Sequence, residues 1–149
     1  MLELVDMRKE NIRIIINTNV WISLLIGQKL KNIIPLFSSQ KLQIIVSDEL
    51  IDELVDVTSR PKFKKYFNPN QVQEFIELIM AISLKFNPKA KYTNCRDEKD
   101  NFLLDLIDAS KADFLVTGDK DLLACNPFKT AEILNPSDFE KIISTLKSN

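Results

Sequence analysis

Two apolar, strand-like runs in this chain each end in polar or acidic residues. Ile12-Arg13-Ile14-Ile15-Ile16 leads into Asn17-Thr18-Asn19-Val20, and Asp113-Phe114-Leu115-Val116-Thr117 leads into Gly118-Asp119-Lys120-Asp121. A further acidic group, Arg96-Asp97-Glu98-Lys99-Asp100, stands ahead of the second run at the start of an expected helix. Carboxylates at strand ends and helix starts, in a chain with no histidine, suit a hard cation. Such a site can support metal-assisted cleavage of phosphodiesters.

The lack of histidine removes much of the catalytic menu. It excludes Ser-His-Asp and Cys-His nucleophile systems, a histidine general base and a histidine-rich zinc site. The two cysteines, Cys95 and Cys125, are too few for a structural zinc site, which wants four ligands. They read as ordinary thiols of a reducing compartment, not as a disulfide framework. Oxygen remains plentiful, with 21 Asp plus Glu, and oxygen ligands suit Mg²⁺ or Mn²⁺.

Elements must position these groups. A chain of 149 residues that is 45% hydrophobic fits one domain with a real core. Its formal net charge of −1 gives no bulk attraction to nucleic acid, so polyanion binding needs a local patch and metal. No apolar stretch reaches the ~18 residues of a membrane-crossing helix, and Met1 to Asn11 is too charged for a signal peptide. The expectation is a cytoplasmic protein without membrane contact. Residues 1–11 are expected to be a loosely held extension and 12–147 the domain. With only Gly27 and Gly118, neither a P-loop nor a Rossmann fingerprint exists.

The hydrophobic pattern predicts strands over 12–17, 42–46, 113–117 and 130–134. It predicts helices over 20–27, 30–39, 48–58 (capped by Ser47), 70–86 and 98–111, a helical turn over 119–124, and a last helix from Pro136 to about Leu146. Such alternation implies a single-domain, three-layer α/β/α sandwich with a mostly parallel central sheet. Ligands of such sheets sit beyond the carboxyl ends of the strands. Asn17 and Asp119 would share that crevice if their strands are neighbours.

Each candidate has an ordinary reading beside the chemical one. Asp100 shares a face with Leu103, Leu104 and Ile107, so it points inward; the ordinary reading is a helix-start acid favoured by the helix dipole. Asp97 reads as a cap or supporting group. Asp105 and Asp108 lie off that stripe and read as solvated. Glu53 sits at the edge of the apolar face of its helix, with Glu49 and Asp52 as alternatives, and in isolation is a surface glutamate. Asp119 and Asp121 are turn and cap residues or metal ligands. Arg60, Lys62, Lys64 and Lys65, with Phe63, Tyr66 and Phe67 between them, can guide a nucleic-acid strand, aided by Lys85, Lys89 and Lys91. The ordinary reading is a solvated surface over core aromatics. Trp21 reads as core or interface.

The ordered set Asn17-Thr18-Asn19-Val20-Trp21-Ile22-Ser23, Ser47 through Glu53-Leu54, Arg60-Pro61-Lys62-Phe63, Asp97-Glu98-Lys99-Asp100-Asn101 and Val116-Thr117-Gly118-Asp119-Lys120-Asp121-Leu122-Leu123 resembles the PIN-domain ribonucleases. It looks most like the subgroup of toxins from toxin–antitoxin systems, over about residues 12 to 140. The resemblance implies a PIN-like fold and a metal-dependent endoribonuclease holding Mg²⁺ or Mn²⁺. It implies catalytic roles for Asn17, Glu53, Asp100 and Asp119, metal ligation by Asn17, Asp100, Asp119 and Asp121, and support from Thr18, Asn19, Asp97 and Thr117. RNA is the implied substrate, and an antitoxin protein and a homodimer are implied partners.

Position 17 departs from that family pattern, which has aspartate there. Asparagine keeps an oxygen but loses the charge, and its NH₂ faces a cation badly. Weakened or lost activity is therefore expected. The alternative is a non-catalytic PIN-like domain that binds RNA or an antitoxin partner. A phosphotransfer receiver is disfavoured, because its order of acids and late lysine is absent.

Overall fold

The computed structural model describes residues 11–39 and 41–147; the N-terminal extension expected over 1–11 therefore falls almost wholly outside them. The chain runs β1 (Ile12–Ile16), α1 (Thr18–Ile26), α2 (Leu30–Ser38), β2 (Leu42–Val46), α3 (Asp48–Thr58), α4 (Pro69–Ile82) and β3 (Ser83–Lys85). It continues through α5 (Asn101–Ser110), β4 (Phe114–Val116), α6 (Lys120–Leu123), β5 (Glu132–Leu134) and α7 (Pro136–Lys147). Short 3₁₀ turns over Pro61–Phe63 and Glu98–Asp100 precede α4 and α5.

The sheet is parallel throughout, in the order β3-β2-β1-β4-β5. Its central strands are apolar and buried on both faces: Ile14, Ile15, Ile16, Ile44, Ile45, Phe114, Leu115 and Val116 have no exposed surface. That continuous burial is what helices on both faces produce. Trp21 is core, packed edge-to-face on Phe75 at 6.0 Å between centroids. Among the described residues no single helix is long and apolar enough to cross a membrane.

Strand order reverses direction between β1 and β4. After β1 the chain steps outward to β2 and β3, then returns to the other side of β1 with β4. This switch point opens a crevice at the carboxyl edge. The register pairs Ile16 with Val116, which sets Asn17 beside Thr117.

The long helix expected over 70–86 is shorter. α4 stops at Ile82, and Ser83–Lys85 is an edge strand paired with β2 from Ile44↔Ser83 to Val46↔Lys85. The apolar residues of that stretch fit a helical period as well as a strand. The free edge of β2 decides the outcome, a tertiary effect invisible to local pattern.

A candidate metal centre at the switch point

The turn before α5 sets the first acids. Asp97 caps the 3₁₀ turn, its carboxylate accepting the Lys99 N–H at 3.4 Å. A 3₁₀ turn has three residues per turn, so positions i and i+3 superpose, and Asp100 lies over Asp97. Leu103, Leu104 and Ile107 are fully buried, and the same phasing buries Asp100, which is 7% exposed. Asp119 comes from the strand on the other side of the crevice. It caps α6 by accepting the Asp121 N–H at 2.8 Å, and its own N–H donates to Thr117 Oγ1 at 3.1 Å.

Asp97, Asp100 and Asp119 each present an oxygen, all within 4.8 Å of one another. Among the described residues no donor reaches Asp100 Oδ2, although it is buried. Burial pushes the Asp100 carboxyl up to about 7, with the hydrogen bond and charge of Asp119 next in effect, the charge of Asp97 following, and Lys99 opposing. A buried carboxylate without a donor, facing two more carboxylates, is costly unless a proton or a cation sits between them. Three hard anionic oxygens at this spacing fit Mg²⁺ or Mn²⁺, whose ligands lie about 2.0–2.2 Å from the ion.

A hydrogen-bond chain crosses the crevice from the cluster. Asn17, 6% exposed, donates from Nδ2 to Thr117 Oγ1 at 2.9 Å, and its Oδ1 accepts the Thr18 N–H at 2.8 Å, capping α1. Thr18 Oγ1 donates to Glu53 Oε1 on α3. Glu53 thus stands at the far end of a chain that runs through Thr18, Asn17 and Thr117 to the backbone of Asp119. The Asp121 carboxylate faces Arg96 Nε at 4.0 Å instead of the acids. Asn19 is exposed on α1.

The basic segment leaves the C-terminal end of α3. Glu53 lies seven positions before Arg60, about 10 Å along the helix. Arg60 pairs with Asp56 at 3.2 Å, Lys62 lies over the Phe63 ring at 5.1 Å, and Lys65 over Tyr66 at 5.1 Å. Lys64 is exposed. Lys85 pairs with Asp48 at 3.1 Å and Lys91 with Asp108 at 3.8 Å. Next to the acid-bearing turn lies a cleft of about 450 Å³ bordered by Glu49, Thr93, Glu98, Lys99 and Asn101.

Asp105 is not solvated: it is 6% exposed, and its Oδ1 accepts the N–H groups of Lys91 at 3.0 Å and Tyr92 at 2.9 Å. Asp108 is half-buried, accepting the Tyr92 hydroxyl at 2.7 Å. Both acids were off the apolar stripe because they face the segment between β3 and α5, which has no periodic pattern to announce it. Asp105 is therefore structural, and Asp105→Ala should cost about 2–4 kcal/mol by unpairing two backbone donors. Urea unfolding should show this against the exposed control Asp52→Ala, which should stay within about 0.5 kcal/mol of the parent; equal midpoints for the two variants would remove the role given to Asp105.

An open parallel sheet with a carboxylate trio at its switch point defines an α/β protein with a cluster of hard oxygens at the carboxyl edge. The chain belongs to the PIN domain family, whose model matches residues 13–121. PIN domains are generally ribonucleases that use divalent metals and bind RNA. The chain is 33% identical over 121 residues to the uncharacterized protein MJ1680 of Methanocaldococcus jannaschii, covering 79% of this chain and 77% of that one. The crystal structure of PAE2754 from Pyrobaculum aerophilum shares the fold, with a TM-score of 0.61 and 13% identity over 93% of this chain and 91% of that one.

Proposed function

We propose that this chain is an Mg²⁺- or Mn²⁺-dependent endoribonuclease of toxin type, acting in the cytoplasm and weakened by Asn17. The observation that carries the reading is the buried Asp100 oxygen without a donor, set between Asp97 and Asp119. These three would hold the ion, and Asp121, two positions past Asp119 in α6, faces Arg96. A bound ion supplies charge neutralisation at the phosphate and a lowered pKa for water. Asp100 and Asp119, fixed by a helix start and a cap, would hold it at one place in the crevice. Glu53, oriented by the Thr18 hydroxyl, would accept the hydrogen of a polar group entering from the α3 side. The adjacent cleft gives a strand room beside the acids, and Arg60, Lys62, Lys64 and Lys65 would hold its more distant phosphates. The toxin role, an antitoxin partner and a homodimer rest on the resemblance in sequence.

One observation favours a second reading. Asn17 spends its oxygen on the α1 cap and presents an amide donor to Thr117. That arrangement needs no metal, and it suits a PIN-like domain that binds RNA or an antitoxin without cleaving.

Cleavage of a labelled RNA in Mn²⁺ distinguishes the two. The parent chain should cut slowly, and Asp119→Ala should reduce the rate at least ~100-fold. RNA retained with equal affinity by both proteins, and cut by neither, would favour the binding reading.

A further inference from the structure

Cys95 and Cys125 are thirty positions apart in the sequence, yet the fold brings them together. Cys95 ends the segment that leads into the acid-bearing turn, and its N–H donates to Asn101 Oδ1 at 2.8 Å. Cys125 follows α6, the helix that Asp119 caps. The Cys125 thiol lies 3.8 Å from the Asn94 carbonyl oxygen and 3.4 Å from that of Asp121. A carbonyl oxygen stands roughly 3 Å from the next Cα, so Cys125 Sγ is within roughly 7 Å of the Cys95 Cα. Each thiol acts on the other's ionisation, so the two side chains are neighbours. Both are free, Cys95 buried and Cys125 partly exposed.

We propose that Cys95 and Cys125 are a redox pair, which forms a reversible intrachain disulfide pinning the Asp97–Asp100 turn to the Asp119–Asp121 turn. Disulfide geometry asks for Cα atoms about 4.4–6.8 Å apart; the contacts above bring the Cys125 sulfur to the Cys95 backbone, and closure needs local movement of the two segments. A shared soft-metal site is the competing use for two thiols near acids. Among the described residues, however, the close trio of ligating side chains is Asp97, Asp100 and Asp119, and it contains neither sulfur.

The oxidant is a small-molecule disulfide. The Cys125 thiolate attacks one of its sulfurs, breaking that S–S bond and releasing one small thiolate, which takes up a proton. The Cys95 thiolate then attacks the Cys125 sulfur of the mixed disulfide and expels the second small thiol. Two protein thiols are oxidised and one small disulfide is reduced to two thiols, so protons and electrons balance. Cys95 is buried and Cys125 only partly exposed, which slows the exchange by limiting access. The final position depends instead on how close the two sulfurs are held.

The test incubates the full chain with mixtures of reduced and oxidised glutathione at pH 8.5, followed by alkylation and peptide mapping. The expected result is loss of both free thiols and a peptide pair linked through Cys95 and Cys125. The melting temperature should rise by about 5–10 °C and return on reduction with dithiothreitol. Cys125→Ser, a change at a partly exposed position, should give no intrachain link. Cys95→Ser should behave likewise, and because Cys95 is buried the Cys125 variant alone suffices if Cys95→Ser does not fold. Retention of both thiols at every glutathione ratio, or a glutathione adduct on Cys125 that never resolves, would overturn the proposal.

Discussion

Asn17→Asp should raise metal-dependent RNA cleavage by about 10²–10³-fold, the scale expected for one preorganised charged group acting on a transition state. The position favours the change. Asn17 follows a strand whose four isoleucines are wholly buried, and the Ile16↔Val116 register fixes it against Thr117. Aspartate is as good a helix cap as asparagine and sits better at a helix N-terminus, so one oxygen can keep the Thr18 N–H. The Thr117 hydroxyl has one donor and two acceptor sites. It can turn to donate to the new carboxylate while still accepting the Asp119 N–H. The second oxygen then adds negative charge where an amide donor now stands. That charge also predicts a signature independent of turnover. Without metal, a fourth carboxylate near the trio should lower the melting temperature; with saturating Mn²⁺, mass action should raise it above that of the parent. Equal cleavage rates for the two proteins at saturating metal would show that position 17 does not touch the chemistry. If neither protein cuts RNA, binding without cleavage becomes the function.

Much of this site could be read from residue pattern, for physical reasons that differ from place to place. β1, β2, β4 and β5 are short apolar runs whose burial leaves little choice of conformation, so they are found near their expected positions. β3 was hidden because it is an exposed edge strand, with Leu84 38% exposed, and because its pattern continues that of α4. Asp100 was visible through its phase with Leu103, Leu104 and Ile107. The closeness of Asp97 depended on the first turn being 3₁₀, where a three-residue offset superposes side chains; an α-helical start would have turned it aside. Asp105 misled because periodicity on one helix says nothing about the irregular segment that lies over it. The contact between Cys95 and Cys125 is likewise tertiary: neither neighbourhood carries a local signal, and the two meet only because β4 returns beside β1.

In metal-free protein, Asp100→Asn should raise stability at pH 8 and leave it nearly unchanged at pH 4. The sign follows from linkage. The Asp100 carboxyl is raised from its ordinary value of 3.8 to about 7 in the folded chain, so the folded state holds its proton over a range in which the unfolded state has lost it. Stability therefore falls as pH rises through roughly 4 to 7, and above that window the charged group costs the fold on the order of a few kcal/mol. Asparagine removes the charge at nearly the same size, and its NH₂ can donate to Asp119, so the cost should vanish. Metal reverses the comparison. A cation between Asp97, Asp100 and Asp119 cancels the repulsion in the parent, which should gain melting temperature with Mn²⁺ and release a fraction of a proton per ion bound at pH 7. The variant should gain little and release none. Thermal melts of both proteins from pH 4 to 8, with and without Mn²⁺, read all four arms. A parent whose metal-free stability is flat across that window would mean that the Asp100 carboxylate is not crowded by its neighbours. Equal Mn²⁺ stabilisation of parent and variant would place the ion elsewhere.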